Sequence, residues 1–286
     1  MGESATSATK LAAEVAELDW YHTIELAPGV ITPGWLDTRQ VARQVPLPSS
    51  LAGKRCLDVA TFNGFWAFEM ERRGAAEVIG IDVLDPARWD WPAGSDPETV
   101  ATLAQRQAGG RGFEIARRAL GSSVERLERS VYELDPGDVG SFDVVYLGSL
   151  LVHLRDPVRA LERIRSVCRG TLVLVDGIDL PLSLMLPRLP VAHFDGRGRP
   201  WWWYSNAAGL TRLVESGGFE VTEGPKRLFM PPGPGQPLAP TRPRLLLTRA
   251  GRQALVIARK GDPHAVLSAR PLPGLQLGRR AGAPNP

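Results

Sequence analysis

Apolar residues follow two alternating rhythms along this chain. Short dense runs at residues 56–59, 78–82, 142–149 and 171–176 have the unbroken character of strands buried on both faces. Weaker runs of the same kind lie near 127–132, 219–223 and 254–260. Between them, apolar positions recur three and four apart, which predicts helices over 65–73, 113–120, 157–168 and 207–215. A shorter helix over 10–18 has Leu11, Val15 and Leu18 in phase. The punctuation agrees with the periodicity. Gly74 stands where a left-handed cap would end a helix, Asp156-Pro157 makes an N-cap and first turn, and Gly170 closes the helix that follows. Strand alternating with helix predicts an α/β domain with a parallel sheet and helices on both faces.

The alternation is tightest at Cys56-Leu57-Asp58-Val59-Ala60-Thr61-Phe62-Asn63-Gly64, where a strand runs through a turn into a helix and then a second strand ending in Asp82. A turn of this kind offers backbone N–H groups and a helix N-terminus to a ligand. An acid at the end of the second strand suits two ribose hydroxyls. Further along come Phe142-Asp143-x-Val145, a strand, and His153-Leu154-x-Asp156-Pro157 opening a helix. Later still an aromatic run, 201–204, leads to a Ser205/Asn206 cap, a helix and Gly217-Gly218-Phe219.

Together these motifs resemble the class I S-adenosylmethionine (SAM)-dependent methyltransferases over roughly residues 19–260. The resemblance is greatest to the subgroup that contains the tRNA wobble-uridine carboxymethyltransferases. Their first motif, Asp/Glu-x-Gly-x-Gly-x-Gly, here retains only Gly64, with Ala60 and Phe62 in place of the other glycines. The resemblance implies a Rossmann-like, seven-stranded, mostly parallel sheet whose last strand, 254–260, is antiparallel. It implies SAM as cofactor, with contacts at Asp58, Ala60, Thr61, Asn63, Gly64, Asp82, Val83, Val131, Tyr132, Gly148 and Ser149. Residues 19–50 would form a cap preceding the core, after a tail and short helix over 1–18. The core would span 51–260, with 261–286 as a flexible tail.

Two insertions interrupt the core, 84–112 and 180–204. They carry Trp89, Trp91, Trp203 and Tyr204, candidates for the wall of an acceptor pocket. His153 and His22 are the candidate general bases, since a hydroxyl acceptor is helped by one. His193 and His264 fall in expected loops and receive no role. Asp96 reads as a surface carboxylate outside the site.

Composition changes the picture little. The 286 residues are 43% hydrophobic and 23% charged, globular values, with formal net charge +3. The cationic residues are thirty Arg and four Lys, scattered through predicted helices rather than gathered in a strip. A nucleic-acid partner is therefore possible but less favoured than a small-molecule acceptor. Cys56 and Cys168 lie in separate apolar runs without metal-ligand spacing, which suits a reducing cytoplasm, and no run is long enough to span a membrane. The implied function is methyl transfer to an O or N of a small molecule. The alternatives are a tRNA-modifying transferase and a non-catalytic SAM-binding protein.

Overall fold

The computed structural model describes residues 2–196, 200–237 and 249–274. In chain order its elements are α1 (Gly2–Ala16), the short strands β1 (Trp20–His22), β2 (Glu25–Ala27), β3 (Val30–Ile31) and β4 (Gly34–Leu36), then β5 (Arg55–Val59), α2 (Phe65–Arg72), β6 (Glu77–Asp82), α3 (Pro97–Gln107), α4 (Arg111–Leu120) and β7 (Glu125–Glu128). There follow α5 (Pro136–Val139), β8 (Phe142–Gly148), α6 (Pro157–Val167), β9 (Cys168–Gly177), α7 (Leu180–Met185), β10 (Ala192–Phe194), β11 (Trp203–Ser205), α8 (Ala207–Ser216), β12 (Phe219–Met230), α9 (Arg249–Lys260) and β13 (Asp262–Pro271).

Seven strands form one sheet in the order β12-β13-β9-β8-β5-β6-β7. β13 runs antiparallel to both its neighbours, and the pairs from β9 to β7 are parallel. Alternate residues of each strand feed two cores. On one face Cys56, Val144, Tyr146, Val173 and Val175 pack with Trp66, Met70 and Phe113 of the helices and with Trp20 and Leu36 of the N-terminal segment. On the other, Leu57, Val59, Val145, Leu147 and Leu174 pack with Leu161, Ile164, Leu210 and Val214. Both cysteines are free and buried, and burial pushes the Cys56 thiol up to about 12 and that of Cys168 to about 11.

Four sequence expectations are corrected. The apolar run 254–260 belongs to α9, and the antiparallel last strand is β13, inside the segment expected to be a tail. β13 is buried on both sides, but His264, Ser268 and Arg270 break up its apolar pattern, whereas Leu255-Val256-Ile257 is a stronger local signal. The core thus extends to residue 271, and of the expected tail only 275–286 lies wholly outside the described residues. β12 continues to Met230, through residues expected to be loop. The insertion 84–112 contains α3, whose N-cap is Asp96: its carboxylate accepts the Thr99 N–H at 2.9 Å. The segment 180–200 carries α7 and β10.

β13 is the common neighbour of β9 and β12, and places Ala265, Leu267 and Ala269 in one core and Val266 in the other. A chain ending at Gly261 should therefore show no cooperative thermal transition by circular dichroism, unlike the full chain. A cooperative melt of the shorter chain would make β13 dispensable.

Candidate active site

The carboxyl ends of β5, β6 and β8 lie side by side, and the loop leaving β5 carries an unusual backbone. Ala60, Phe62 and Gly64 have φ of 59°, 50° and 89°, all left-handed. These alternate positions are where the resembled motif has its glycines, so the glycine backbone is retained although two glycines are not. For Ala and Phe this conformation costs on the order of 1–2 kcal/mol each. The surroundings hold it in place. Asp58 Oδ2 accepts from the Thr61 hydroxyl (2.7 Å) and the Ala67 N–H (3.1 Å). The Thr61 N–H donates to the Ile81 carbonyl, and the Phe62 N–H donates to Asp82 Oδ2 at 3.0 Å. A Cβ at Gly80 would strike the Thr61 side chain at 2.8 Å, so the loop can lie on β6 only where β6 has a glycine. Phe62, the larger departure, turns its ring to Tyr21 at 5.3 Å and lines the cavity described next.

A cavity of about 190 Å³ opens above these strand ends. At one end lie Asp82, Val83, Val131, Tyr132 and Leu103 with the insertion tryptophans Trp89 and Trp91, whose rings are 5.5 Å apart. The Trp89 indole donates to the Val83 carbonyl, which fixes its ring beside the strand end. At the other end lie Tyr21, Gly148, Ser149, Leu150, His153 and Pro200. A smaller cavity adjoins it through Tyr21, Ala60, Gly148 and Ser149, and is lined also by His22, Thr38, Asp58, Thr61 and Tyr146.

Two predicted residues, Asn63 and Gly64, line neither cavity. Asn63 turns away from the sheet edge, and its Oδ1 accepts the Tyr21 N–H (2.8 Å) and the His22 N–H (3.3 Å), tying β1 to the loop. Gly64 is the N-cap of α2, with the Phe68 ring where its Cβ would stand. Trp203 and Tyr204 also line neither cavity. They pair with Phe194 and His193 in a hairpin, the Trp203 indole donates to the Arg155 carbonyl, and Tyr204 is buried against Trp201. The two aromatic segments do meet, through the Trp202 indole N–H on the Asp90 carbonyl at 2.7 Å. Sequence reasoning missed Tyr21, Phe62, Leu103, Gln107 and His264. Gln107 ends α3 and donates to Asp82 Oδ2 at 3.0 Å, 25 residues away in sequence, so no local pattern announces it.

The two candidate bases differ. His22 is buried, with Nδ1 unpartnered among the described residues, and burial lowers it to about 3, so it is neutral near pH 7 and a weak proton acceptor. His153 Nδ1 is 2.9 Å from the Pro200 carbonyl and must donate to it, while burial lowers the ring below the ordinary histidine value. Tyr21 is pushed up to about 12, chiefly by burial.

The site fits an aminoacyl nucleoside with a positive centre. Asp82 receives N–H groups from Phe62, Val83 and Gln107, which leaves one of about four lone-pair positions on its two oxygens for a ribose. Two buried polar atoms at the smaller cavity, His22 Nδ1 and Thr38 Oγ1, have no hydrogen-bond partner among the described residues. The apolar slot between Val83, Leu103 and Val131 has the lining a purine requires.

Burial raises Asp58 to about 7, and Asp82 and Asp176 each to about 6. The folded chain therefore binds these protons more tightly than the unfolded chain, and the stability this contributes is lost as pH rises from about 4 through 7. For Asp58 that amounts to a few kcal/mol at roughly 1.4 kcal/mol per unit. His22, held neutral, acts in the opposite sense below pH 6.5. Asp58→Asn stays neutral and should lose less stability than the wild type between pH 5 and 8. Parallel stability–pH curves in denaturant would contradict this.

The matching family model, described as a methyltransferase domain, covers residues 37–223. Among curated proteins, the ubiquinone biosynthesis O-methyltransferase of Hahella chejuensis is 32% identical over 121 residues, 42% of this chain and 41% of that protein. A tRNA U34 carboxymethyltransferase of Aeromonas salmonicida is 26% identical over 194 residues, 65% of this chain and 50% of that protein. The chain thus spans half or less of the length of these relatives. Among solved structures, the N-terminal domain of EvdMO1, crystallised with S-adenosylhomocysteine (SAH) and D-fucose, shares the fold with TM-score 0.51 at 17% identity, over 92% of this chain and 96% of that one. A parallel sheet with one reversed strand, a left-handed loop at its carboxyl edge and a family match over most of the core agree, and the chain belongs to the methyltransferase-domain family, within the class I SAM-dependent methyltransferases.

Proposed function

We propose that this chain transfers a methyl group from SAM to an oxygen or nitrogen of a small-molecule acceptor. The observation that carries this reading is one continuous cavity lined both by Asp82, at the end of β6, and by Tyr21, Ser149 and His153. Asp82 and Val83 would hold the ribose, with Val131, Leu103 and Trp89 around the adenine. Asp58, Ala60, Thr61 and Gly148 would hold the methionyl end. SAM brings a methyl carbon on a sulfonium, a good leaving group, so the chain's task is to bind, align and keep water out. Leu150, Leu154 and Pro200 give the acceptor end its apolar wall. An O-methyltransferase among the relatives is consistent with a hydroxyl acceptor.

The transferred group is read as plain methyl. A carboxymethyl donor carries an additional carboxylate, which in a closed site needs charged or hydrogen-bonding partners. In the resembled carboxymethyltransferases a phenol precedes the histidine that matches His153, and here Val152 stands there, buried and unable to donate. The lysine expected in the lead-in to the core has no counterpart, since residues 19–50 hold only Arg39 and Arg43 as cations. The arginine that introduces the last strand of those relatives aligns with Gln253, or after a one-residue shift with Arg252, and both positions lie in α9 rather than at the start of a strand. The first side chain of β13 able to donate is that of His264, and Ser149 already occupies its Nε2. Arg88 and Arg129 do line the cavity, but at its Val131 end, and they are paired with Glu128, Glu133 and Asp138. SAM should therefore bind at least as tightly as carboxy-SAM in side-by-side calorimetric titrations. A clear preference for carboxy-SAM would overturn the methyl assignment.

The second reading, a tRNA-modifying transferase, is favoured by the tRNA U34 carboxymethyltransferases among the relatives. Against it stands the pairing of many surface arginines, among them Arg55 with Glu77, Arg72 with Glu69 and Arg169 with Asp143. Paired guanidinium groups release few counterions from a nucleic acid. Filter binding to bulk tRNA should accordingly be weak with a shallow salt dependence. Tight binding whose log–log salt slope matches six or more phosphate contacts would favour the tRNA reading.

A further inference from the structure

A hydrogen-bonded pair of side chains leads from the cavity wall into the sheet. Tyr21 and Ser149 line both cavities. Tyr21 interacts electrostatically with the Ser149 side chain, and Ser149 Oγ lies 3.1 Å from His264 Nε2. His264 is 3% exposed, and its Nδ1 is 2.9 Å from the backbone carbonyl of Asp262. A carbonyl can only accept, so Nδ1 carries the proton of the neutral ring and Nε2 is its free base. Ser149 must then donate to Nε2, and its oxygen can accept from a group in the cavity. Ser149 is held there at a left-handed φ of 51°, its N–H on the Val175 carbonyl at 2.8 Å. Non-glycine residues in that conformation persist where the surroundings over-determine them.

Titratable groups surround His264 on three sides. Asp176, at the end of β9 beside it, is fully buried and accepts the N–H groups of Leu150, Leu151 and Gly177. Its carboxylate interacts electrostatically with His264. Across in β12 the partner is Leu228, and on β13 itself Asp262 contributes its carbonyl. From β1 the group facing this cluster is Tyr21.

Resting on the methyl-transfer reading, we propose that Ser149 and His264, with Tyr21 positioning the acceptor, are the proton-accepting end of this site and that the acceptor is a protic group, a phenol or other hydroxyl. As the acceptor oxygen forms its bond to the methyl carbon, its proton passes to Ser149 Oγ and the Ser149 proton passes to His264 Nε2. The electrons of the broken carbon–sulfur bond stay on sulfur. The products are a methyl ether, a thioether, a neutral serine and an imidazolium beside Asp176, which returns its proton to solvent when the product leaves.

The test compares catechol with 4-nitrocatechol, whose more acidic hydroxyl needs little help to ionise, in wild type, His264→Gln and His153→Gln. His264→Gln should lower kcat on catechol about a hundredfold, the scale of a lost general base. Its loss on 4-nitrocatechol should be much smaller, whereas a structural role would reduce both equally. Nitrogen-15 spectra of histidine-labelled protein give a readout independent of turnover. Neutral His264 should carry its proton on Nδ1, and Ser149→Ala should move the Nε2 resonance. Equal losses on both acceptors, the acidity-dependent loss appearing in His153→Gln instead, or a proton on Nε2 would overturn the proposal. Calorimetry separates the two levels of failure. A wild-type protein that binds SAM but methylates neither phenol defeats the relay alone, and one that does not bind SAM defeats the methyl-transfer reading with it.

Discussion

Two buried carboxylates on neighbouring parallel strands organise this protein. Asp58 and Asp82 end β5 and β6, and between them they accept hydrogen bonds from the side chain of Thr61 and the backbones of Ala67, Phe62 and Val83. Those contacts hold the loop after β5 in left-handed conformations that Ala60 and Phe62 would not adopt alone. Without them the loop would relax, the N-terminus of α2 would shift, and the cavity above the sheet would lose its floor. The same burial raises both carboxyls, so the site that best accommodates a positive ligand is also one whose ligand-free form is stabilised by protons.

The rest of the molecule is fastened to that loop from outside the sheet. Asn63 grips the backbone of β1, which carries Tyr21 to the cavity, and Trp20 anchors the same strand in the core. Gln107 reaches Asp82 from the end of α3, so an insertion that looks like surface elaboration closes one wall. Asp90, in the same insertion, accepts from the Tyr132 hydroxyl at 2.6 Å and from the Arg155 N–H, joining it to the turns after β7 and β8. Substrate-facing parts of α/β domains commonly sit on such loops, because the sheet supplies rigidity that the loops need not supply themselves.

Phe62 shows how a departure from a motif can be absorbed. A side chain replaces a glycine hydrogen, yet the backbone stays left-handed and the ring leans on Tyr21. The glycine pattern in the sequence is therefore a poor guide to whether this loop retains its shape. The hydrogen bonds to Asp58 and Asp82 are a better one.

Local pattern alone determined the α/β class, the βαβ unit around Asp58 and Asp82, the strand at Phe142–Gly148 with the capped helix after it, and the helix–strand pair following Asn206. Each is written within a few tens of residues, where hydrophobic period and capping chemistry suffice. The tertiary structure decided the rest. It chose β13 over the more apolar run at 254–260, because the sheet rewards burial against β9 and β12 rather than local hydropathy. It withdrew Asn63, Gly64, Trp203 and Tyr204 from the cavity walls by giving their side chains or neighbours other partners. It also joined Ser149 to His264 across 115 residues, a contact that exists only because the antiparallel β13 begins at the sheet edge where β8 and β9 end.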